Sequence, residues 1–212
     1  MPDSNFDYTE ITATLRHFYD HQAEEREGRK APAWKIADRA EFLVLLQQEG
    51  AQTLLEIGAG TGWCGKFFQD QGFSVTCTDL SPENVRFCQA KGLVAYERDF
   101  LNLGFPDASF DAVFALNCLL HVPHDNLPLV LQAIRAVLKP NGLFYMGLYG
   151  GMSFAGMLPD DHSKFKRFFC FHPDDEIQRI VSQHFDVVRF KRLDLESETT
   201  MSFQSLILRR PS

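Results

Sequence analysis

The stretch Leu54–Gly62 constrains this chain more than any other part of its sequence. An apolar segment ends at Glu56 and is followed by three glycines at every second position, Gly58, Gly60 and Gly62, and then by residues that can open a helix. A strand, a glycine-rich turn and a helix N-terminus bring the backbone close to a bound nucleotide. The sequence therefore predicts a nucleotide-binding turn, and three kinds of turn compete.

The first kind is a dinucleotide site with the pattern G-x-G-x-x-G. Gly58 and Gly60 fit this pattern, but the third glycine would fall at position 63, which is Trp63. That glycine normally allows the helix to pack closely on the strand, and we expect the large indole to prevent such packing. The sequence disfavours a dinucleotide site.

The second kind is a phosphate-binding loop with the pattern G-x-x-x-x-G-K-[ST]. Gly60, Gly65 and Lys66 fit, but the last position is Phe67, which has no hydroxyl to offer a magnesium ion. Glu56 lies just before the loop, where its charge would repel phosphates. The sequence disfavours this site as well.

The third kind suits an acidic residue beside the turn, because its cofactor is positively charged and has no phosphate. Residues Glu56–Gly62 resemble motif I of the class I S-adenosylmethionine-dependent methyltransferases. The resemblance implies that the glycines approach the methionine part of S-adenosyl-L-methionine and that helix N–H groups face its carboxylate. With the later motifs, the resemblance covers about residues 53–148.

Composition limits the remaining possibilities. A chain of 212 residues suggests one domain, and a net charge of −7 provides no global basic field for nucleic acid. The five cysteines form no C-x-x-C pair, which is typical of free thiols in a reducing compartment. The sequence shows neither a signal-peptide pattern nor an apolar stretch of membrane-spanning length. We expect a cytoplasmic protein with a small-molecule substrate, no nucleic-acid or membrane partner, and an oligomeric state that stays open.

Apolar periodicity predicts alternating strands and helices from position 53 onward. The predicted helices are 7–30, 37–48, 63–71, 82–91, 125–138 and 173–183. The predicted strands are 53–57, 74–78, 94–97, 110–116, 143–148, 185–193 and 201–208. A polar turn separates the last two strands, so they should pair antiparallel. The fold class is therefore α/β: a Rossmann-like, seven-stranded, mostly parallel sheet with an antiparallel last strand, helices on both faces and an N-terminal helical cap.

One domain of residues 1–212 is expected to have four parts. Residues 1–50 form the helical cap, in which the charged run 24–27 is interpreted as a solvated face or turn. Residues 51–148 form the cofactor-binding core, and residues 149–172 form an insertion whose glycines and exposed aromatic residues suit a lid. Residues 173–212 supply the last helix and the terminal hairpin.

Candidate site residues follow the strands, since ligands of open α/β sheets bind at the carboxyl ends of strands. Asp79 can accept the two ribose hydroxyls, while Ser81 caps the next helix. The resemblance implies that Asp99 accepts the adenine amino group, that Phe100 flanks the ring, and that Tyr19 folds over the cofactor's carboxylate. The complete set of expected cofactor contacts is Glu56, Gly58, Ala59, Gly60, Asp79, Leu80, Asp99, Phe100, Asn117, Cys118 and Tyr19.

Structural roles are expected for two other residues. Asp111 begins its strand at the end away from the site. The run Lys139–Leu143 matches the family's L-K-P-G-G turn with Asn141 in place of the first glycine, and asparagine tolerates the left-handed conformation that this position needs.

The catalytic residue is unknown from sequence, with His121 as a weak candidate for a general base and backbone bonding as its equally acceptable role. The expected substrate-pocket residues are Trp34, His121, Tyr149 and His162. No metal is expected, because Pro123 separates His121 from His124 and no zinc-enzyme spacing occurs on a helix.

The predicted function is methyl transfer from S-adenosylmethionine to an oxygen or nitrogen atom of a small molecule. Two alternatives remain open. The chain would otherwise be a catalytically silent S-adenosylmethionine-binding sensor or partner protein, or a nucleic-acid or protein methyltransferase, which its acidity disfavours.

Overall fold

The computed structural model describes residues 6–159, 161, 165–194 and 201–212. Its helices are α1 (Tyr8–Glu27), α2 (Ala33–Gln48), α3 (Trp63–Asp70), α4 (Pro82–Ala90), α5 (Leu127–Val137) and α6 (Asp174–Val181). Its strands are β1 (Thr53–Ile57), β2 (Ser74–Asp79), β3 (Val94–Glu97), β4 (Phe110–Leu116), β5 (Leu138–Gly150), β6 (Phe154–Met157), β7 (Phe168–Phe171), β8 (Asp186–Asp194) and β9 (Ser202–Arg209).

Seven of the described strands form one sheet in the order β3-β2-β1-β4-β5-β9-β8. Strands β1 to β5 run parallel to their neighbours, and β9 lies antiparallel between β5 and β8. The strand order reverses at β1, whose neighbours are β2 and β4, so loops after these strands diverge and leave a crevice. The predicted fold class is confirmed.

Both faces of the sheet are covered, because successive strand residues point to opposite sides. In β4, Ala112 and Phe114 belong to the apolar cluster formed with α2, α3 and α4, whereas Val113 and Ala115 belong to the cluster formed with α5 and α6. This explains why the central strands read as continuous apolar runs rather than as alternating ones.

Local signals explain where helices begin. The Ser81 hydroxyl accepts a hydrogen bond from the Asn84 N–H at 3.1 Å, so Ser81 caps α4 as predicted. Helix α2 begins at Ala33, directly after Pro32, and not near position 37. The prediction was wrong by a turn, because the regular apolar spacing used to place this helix begins only after its first turn, Ala33–Ile36.

Helix α1 is tied to the carboxyl edge of the sheet by polar contacts. The Ser81 hydroxyl donates to Asp20 at 2.6 Å, and the Lys91 ammonium contacts Glu27 at 2.7 Å. The run 24–27 is therefore not simply a solvated face. The N-terminal cap is an integral wall of the crevice.

The segment predicted as a lid contains a second, two-stranded sheet. Strands β6 and β7 pair antiparallel, and Phe168, Phe169 and Phe171 are buried. The expectation of exposed aromatic residues was wrong for these three, which pack against the α5/α6 side of the core. Sequence periodicity gave no sign of this pair, because four consecutive buried residues have no alternation.

The two structural expectations at the far edge can be compared directly with the structure. Asn141 adopts φ +62, the left-handed conformation predicted for this position. The residues predicted as a turn are, however, part of β5, which begins at Leu138 and not at position 143. Asp111 accepts hydrogen bonds from the backbone N–H groups of Gln52 and Thr53 and from the Lys139 ammonium. It fastens the start of β4 to the start of β1. Among the described residues, no helix has both the length and the apolar character that crossing a membrane requires.

Candidate functional site

A cavity of about 520 Å³ opens at the carboxyl ends of β1, β2 and β4, where the strand order reverses. It is lined by Leu15, Tyr19, Arg26, Gly58, Gly60, Asp79, Leu80, Asn84, Phe100, Leu116, Asn117, Cys118 and His121. An adjoining cavity of about 280 Å³ is lined by Tyr8, Thr12, Leu15, Leu80, Arg98, Asp99, Phe100, His121 and Val122.

The glycine turn forms the floor of the larger cavity. Gly58 has φ +60, and a Cβ on it would lie 2.4 Å from the Cβ of Cys118. Only glycine fits both the left-handed backbone and this close approach. Ala59 does not line the cavity; its N–H donates to the Thr78 carbonyl at 3.0 Å and so joins the turn to β2.

Close packing of helix on strand occurs at Gly65 and not at position 63. A Cβ on Gly65 would meet the Cys77 sulfur and a Glu56 carboxylate oxygen at 2.7 Å each. Trp63 is 53% exposed, and its indole N–H donates to the Glu27 carbonyl. The argument that the indole would block helix packing was therefore wrong. Trp63 is the first residue of α3, directly after Gly62, and its side chain faces outward.

Glu56 lies beneath the glycine turn and outside the cavity. It is 4% exposed, and its carboxyl group accepts hydrogen bonds from the Gly65 N–H and, at 3.7 Å, from the Cys77 thiol. Burial raises the pKa of Glu56 to about 8, against the opposing effect of these bonds. The structure does not bring Glu56 into the cavity, where the sequence expectation had placed it. Its position supports the turn from below.

Asp79 is held at the cavity wall by three donors. One carboxylate oxygen accepts the Gly60 N–H at 2.8 Å, and the other accepts the Ser81 N–H at 2.9 Å and the Asn84 amide at 3.1 Å. Burial raises the pKa of Asp79, although these bonds oppose the shift. Each oxygen has two lone pairs, so the carboxylate can still accept hydrogen bonds from a ligand.

Asp99 and Phe100 connect the two cavities. Phe100 lines both, while Asp99 lines the smaller one. The Tyr8 hydroxyl donates to Asp99 at 2.9 Å, and the Leu101 N–H donates to its other oxygen at 2.8 Å. Burial, followed by the charge of Asp99, raises the pKa of Tyr8 above its ordinary value.

Asn117 and Cys118 close the cavity at the end of β4. Asn117 has φ +55, uncommon for a residue with a side chain, and its N–H donates to the Gly147 carbonyl at 2.7 Å. Its side-chain oxygen is buried and has no hydrogen-bond partner in the described part of the chain. The Cys118 thiol donates to the Ile57 carbonyl at 3.3 Å. An unpaired buried acceptor in a cavity wall suits a ligand that donates a hydrogen bond.

Tyr19 and His121 form a hydrogen-bonded pair across the cavity. The Tyr19 hydroxyl lies 2.7 Å from His121 Nε2, and His121 Nδ1 lies 2.6 Å from the Phe168 carbonyl oxygen. Burial lowers the pKa of His121 to about 4, although the Phe168 bond opposes the shift. The ring is therefore neutral at physiological pH. Because a carbonyl only accepts, Nδ1 carries the proton and Nε2 accepts from Tyr19.

Trp34 and Tyr149 do not line either cavity. They pack on Phe203 at ring-centroid distances of 4.6 and 5.6 Å, and the Lys35 ammonium lies 5.0 to 5.8 Å from the three rings. Burial, followed by repulsion from Arg26, lowers the pKa of Lys35 to about 8. The fourth expected pocket residue, His162, lies outside the described residues.

Sequence reasoning predicted Tyr19 from α1 and missed four other cavity residues on this helix. Tyr8, Thr12, Leu15 and Arg26 line the cavities together with Tyr19. In chain order, Tyr8, Thr12, Leu15, Tyr19 and Arg26 are separated by four, three, four and seven positions. This spacing places all five on one helical face. That periodicity could have identified the face, but its polar members made it resemble a solvated surface.

Three comparisons with known proteins bear on this arrangement. Residues 55–146 match the family model described as a methyltransferase domain. A sterol 24-C-methyltransferase of Gibberella zeae is 49% identical over 105 residues, which is 45% of this chain and 27% of that protein. Phosphoethanolamine N-methyltransferase 2 of Caenorhabditis elegans is 29% identical over 161 residues, 67% of this chain and 36% of that protein.

A solved structure shares the fold over the whole chain. The 1,6-didemethyltoxoflavin-N1-methyltransferase of Burkholderia thailandensis, solved with S-adenosylhomocysteine and its substrate bound, superposes with a TM-score of 0.77. The match has 21% identity and covers 100% of this chain and 94% of that one.

The whole chain has the fold of the solved methyltransferase, and its cavity lies at the switch point of that fold. Residues 55–146 match the methyltransferase domain, in agreement with the resemblance to the class I methyltransferases in the sequence. The matched regions span about a quarter to two fifths of the length of the first curated relatives.

Proposed function

We propose that this protein is an S-adenosylmethionine-dependent methyltransferase that acts on an oxygen or nitrogen atom of a small molecule. One observation carries the proposal. The glycine turn, Asp79 and Asn117 line one cavity in a chain whose core matches a methyltransferase domain. A cofactor with an ammonium group, a carboxylate and two ribose hydroxyls has a complementary group for each of these elements.

We assign the methionine part of the cofactor to the glycine turn. Gly58 and Gly60 leave backbone exposed there, and Asn117 offers an acceptor to the ammonium group. Arg26, on the facing side of α1, is suited to the carboxylate, since a guanidinium binds a carboxylate through two parallel hydrogen bonds. Tyr19 borders this part of the cavity, but its hydroxyl proton is directed at His121. Cys118 completes this wall with its backbone.

The nucleoside part is assigned to the ends of β2 and β3. Asp79 accepts a ribose hydroxyl through the remaining lone pair of the oxygen that binds the Gly60 N–H, with Leu80 beside it. Asp99 and Phe100 take the adenine ring, and the Tyr8 hydroxyl already orients the Asp99 carboxylate. Glu56 and Ala59 then act from below, by holding the glycine turn in shape.

The chemistry needs little from the protein beyond placement. The sulfonium of the cofactor supplies an activated methyl group, so the residues must orient the acceptor and exclude water. Tyr19 presents its oxygen to the cavity and keeps its proton directed at His121 Nε2. When an acceptor hydroxyl or ammonium loses its proton, Tyr19 can take it as its own proton passes to His121.

The acceptor side is assigned to His121 and to the insertion at 149–172. We propose that the cluster of Trp34, Tyr149 and Phe203 around Lys35 borders this side, since the charge of Arg26, a cavity residue, acts on Lys35. We also propose a cytoplasmic location, supported by five free cysteines. The net charge of −7 supports a small-molecule partner over nucleic acid.

The test follows methyl transfer with purified protein and methyl-labelled S-adenosylmethionine. A small-molecule fraction, an RNA pool and a protein pool are offered separately as acceptors. We expect label in the small molecules together with S-adenosylhomocysteine formation, and a much lower rate in Tyr19→Phe. Tight binding of the donor without transfer to any pool would favour the silent sensor. Label confined to RNA or protein would favour the macromolecular alternative.

A further inference from the structure

A second group of reactive side chains lies apart from both cavities. His124 follows the short 3₁₀ turn Leu119–His121, while Cys170 and His172 lie at the end of β7. One ring nitrogen of each histidine and the cysteine sulfur all lie within 4.8 Å of one another. Cys170 is fully buried and His172 is 1% exposed, whereas His124 is half-buried. The cluster therefore has a buried base and an edge that solvent can reach.

The spacing of the two buried ligand atoms fits a metal ion. Cys170 Sγ lies 3.7 Å from His172 Nε2. Zinc binds sulfur at about 2.3 Å and nitrogen at about 2.0–2.1 Å, so two such ligands at the tetrahedral angle are separated by about 3.6 Å. A shift of about 1 Å by the half-buried His124 ring brings the third ligand to a similar distance.

The second nitrogen of His172 gives an independent indication. Among the residues that the structure describes, His172 Nδ1 is buried without a hydrogen-bond partner, and it lies 3.6 Å from a carboxylate oxygen of Glu176. A buried unpaired nitrogen requires an explanation. Histidines that bind metal almost always direct their other N–H at a carboxylate or carbonyl. With Nε2 on an ion, Nδ1 carries the proton and Glu176 becomes that carboxylate.

We propose that His124, Cys170 and His172 form a zinc-binding site, with Glu176 orienting His172 and a water molecule completing the tetrahedron. One thiolate and two imidazoles are donors that zinc accepts readily. Binding converts the Cys170 thiol to a thiolate and releases one proton to solvent. The His124 backbone N–H, which already donates to the Cys170 sulfur, stabilises the thiolate.

Such an ion fastens β7 to the loop after β4. The Phe168 carbonyl of the same strand holds His121 Nδ1, so the site would fix the strand that positions His121. No metal was expected from the sequence because the search considered spacing along one helix. The structure brings His124 to two residues that lie far away in the chain. This site does not depend on the proposed methyltransferase activity.

The test is a titration of chelator-treated protein with Co²⁺, an optical probe for zinc sites. We expect one equivalent to produce the near-ultraviolet thiolate-to-cobalt band and the strong visible bands of a four-coordinate ion, both abolished by one equivalent of Zn²⁺. Cys170→Ser should remove the thiolate band. Glu176→Gln should weaken binding by about 10-fold or more, since loss of an outer partner costs about 10–100-fold. Cys64→Ser and His184→Gln are the matched controls and should bind as the wild type does.

A second measurement covers the case in which Cys170→Ser does not fold. His124→Gln alters the half-buried edge of the cluster, and Zn²⁺ should raise the melting temperature of the wild type but not of this variant. Absence of a thiolate-to-cobalt band in the wild type would overturn the proposal. So would a band that survives Cys170→Ser or disappears in Cys64→Ser, or an equal Zn²⁺ shift in wild type and His124→Gln.

Discussion

The Tyr19 hydroxyl lies 2.7 Å from His121 Nε2 and joins α1 to the turn after β4 across the candidate cofactor cavity. His121 Nδ1 is bonded to the Phe168 carbonyl, so the ring has one fixed tautomer and accepts the Tyr19 proton. The sequence indicated His121 as a weak candidate for a base. The structure indicates a pair in which the Tyr19 hydroxyl donates a hydrogen bond to His121 Nε2, and the Tyr19 oxygen is the candidate acceptor of the substrate's proton.

Removal of the Tyr19 hydroxyl tests this pair. Tyr19→Phe leaves the ring in place but deprives His121 of its donor, and we expect kcat to fall by about 100-fold, the lower range for a lost acid–base group. The KM for the acceptor should change less than kcat, because the hydroxyl acts on proton transfer in the transition state and not on binding of the acceptor. Tyr96→Phe, on exposed β3, is the control. An unchanged kcat in Tyr19→Phe would show that the pair is only structural.

The assignment of Arg26 to the cofactor's carboxylate makes a second prediction. Arg26→Gln should weaken S-adenosylhomocysteine binding by about 1.5–3 kcal/mol, the usual contribution of a hydrogen bond to a charged group. It should barely affect 5′-methylthioadenosine, which has the nucleoside but no carboxylate. Isothermal titration of both ligands measures the difference, with the exposed Arg29→Gln as control. Equal losses for the two ligands would contradict the assignment.

The glycine turn allows a matched pair of substitutions. Gly58 and Gly60 both have positive φ, but a Cβ meets Cys118 at 2.4 Å in the first case and nothing within 4 Å in the second. Gly60→Ala should cost about 1–2 kcal/mol of folding stability from the backbone alone. Gly58→Ala should cost about 1–3 kcal/mol more, the usual effect of overpacking. Urea unfolding of both variants measures the difference between their free energies of unfolding. Equal losses would mean that Cys118 yields without strain.

Burial of His121 predicts that the free energy of unfolding decreases in acid. Its pKa is about 4 in the folded chain, below the ordinary 6.5, because burial disfavours the charged ring. At pH values above 6.5 the ring is neutral in both states and its contribution to stability is complete. As pH falls from 6.5 to about 4, the unfolded chain takes up a proton that the folded chain excludes, so the free energy of unfolding decreases.

The measurement is urea unfolding of metal-free protein across this pH range. His121→Gln should lessen the slope without abolishing it, because burial also lowers the pKa of His172, to about 3. His17→Gln, at an exposed position, should leave the slope unchanged. A slope that persists unaltered in His121→Gln would assign the acid sensitivity to other groups.

Much of the fold was predictable because each element has a local cause. Strand–helix alternation from position 53 and the cap at Ser81 gave the order of the elements. Asn141, which lies within β5, was predicted to be left-handed and is. The β6–β7 pair was not predictable, because a run such as Phe168–Phe171 carries no period that distinguishes it from a buried loop or helix.

The candidate site was predictable only where residues adjoin strand ends. Gly58, Asp79 and Asn117 follow strands, and the topology brings them together. Glu56 also ends a strand, but its side chain points under the turn, which sequence alone does not reveal. Arg26 and the His124 cluster depend on how α1 and β7 pack, and long-range packing leaves no mark in local sequence.

The central claim is that the cavity between the glycine turn and α1 binds S-adenosylmethionine. The most direct measurement is calorimetric titration of the purified chain with S-adenosylhomocysteine, with NAD⁺ and ATP titrated under the same conditions. The account predicts one S-adenosylhomocysteine per chain, lost in Asp79→Ala, and no binding of the two phosphate-bearing nucleotides. Binding of NAD⁺ or ATP in place of S-adenosylhomocysteine, or S-adenosylhomocysteine binding that Asp79→Ala leaves unchanged, would contradict it.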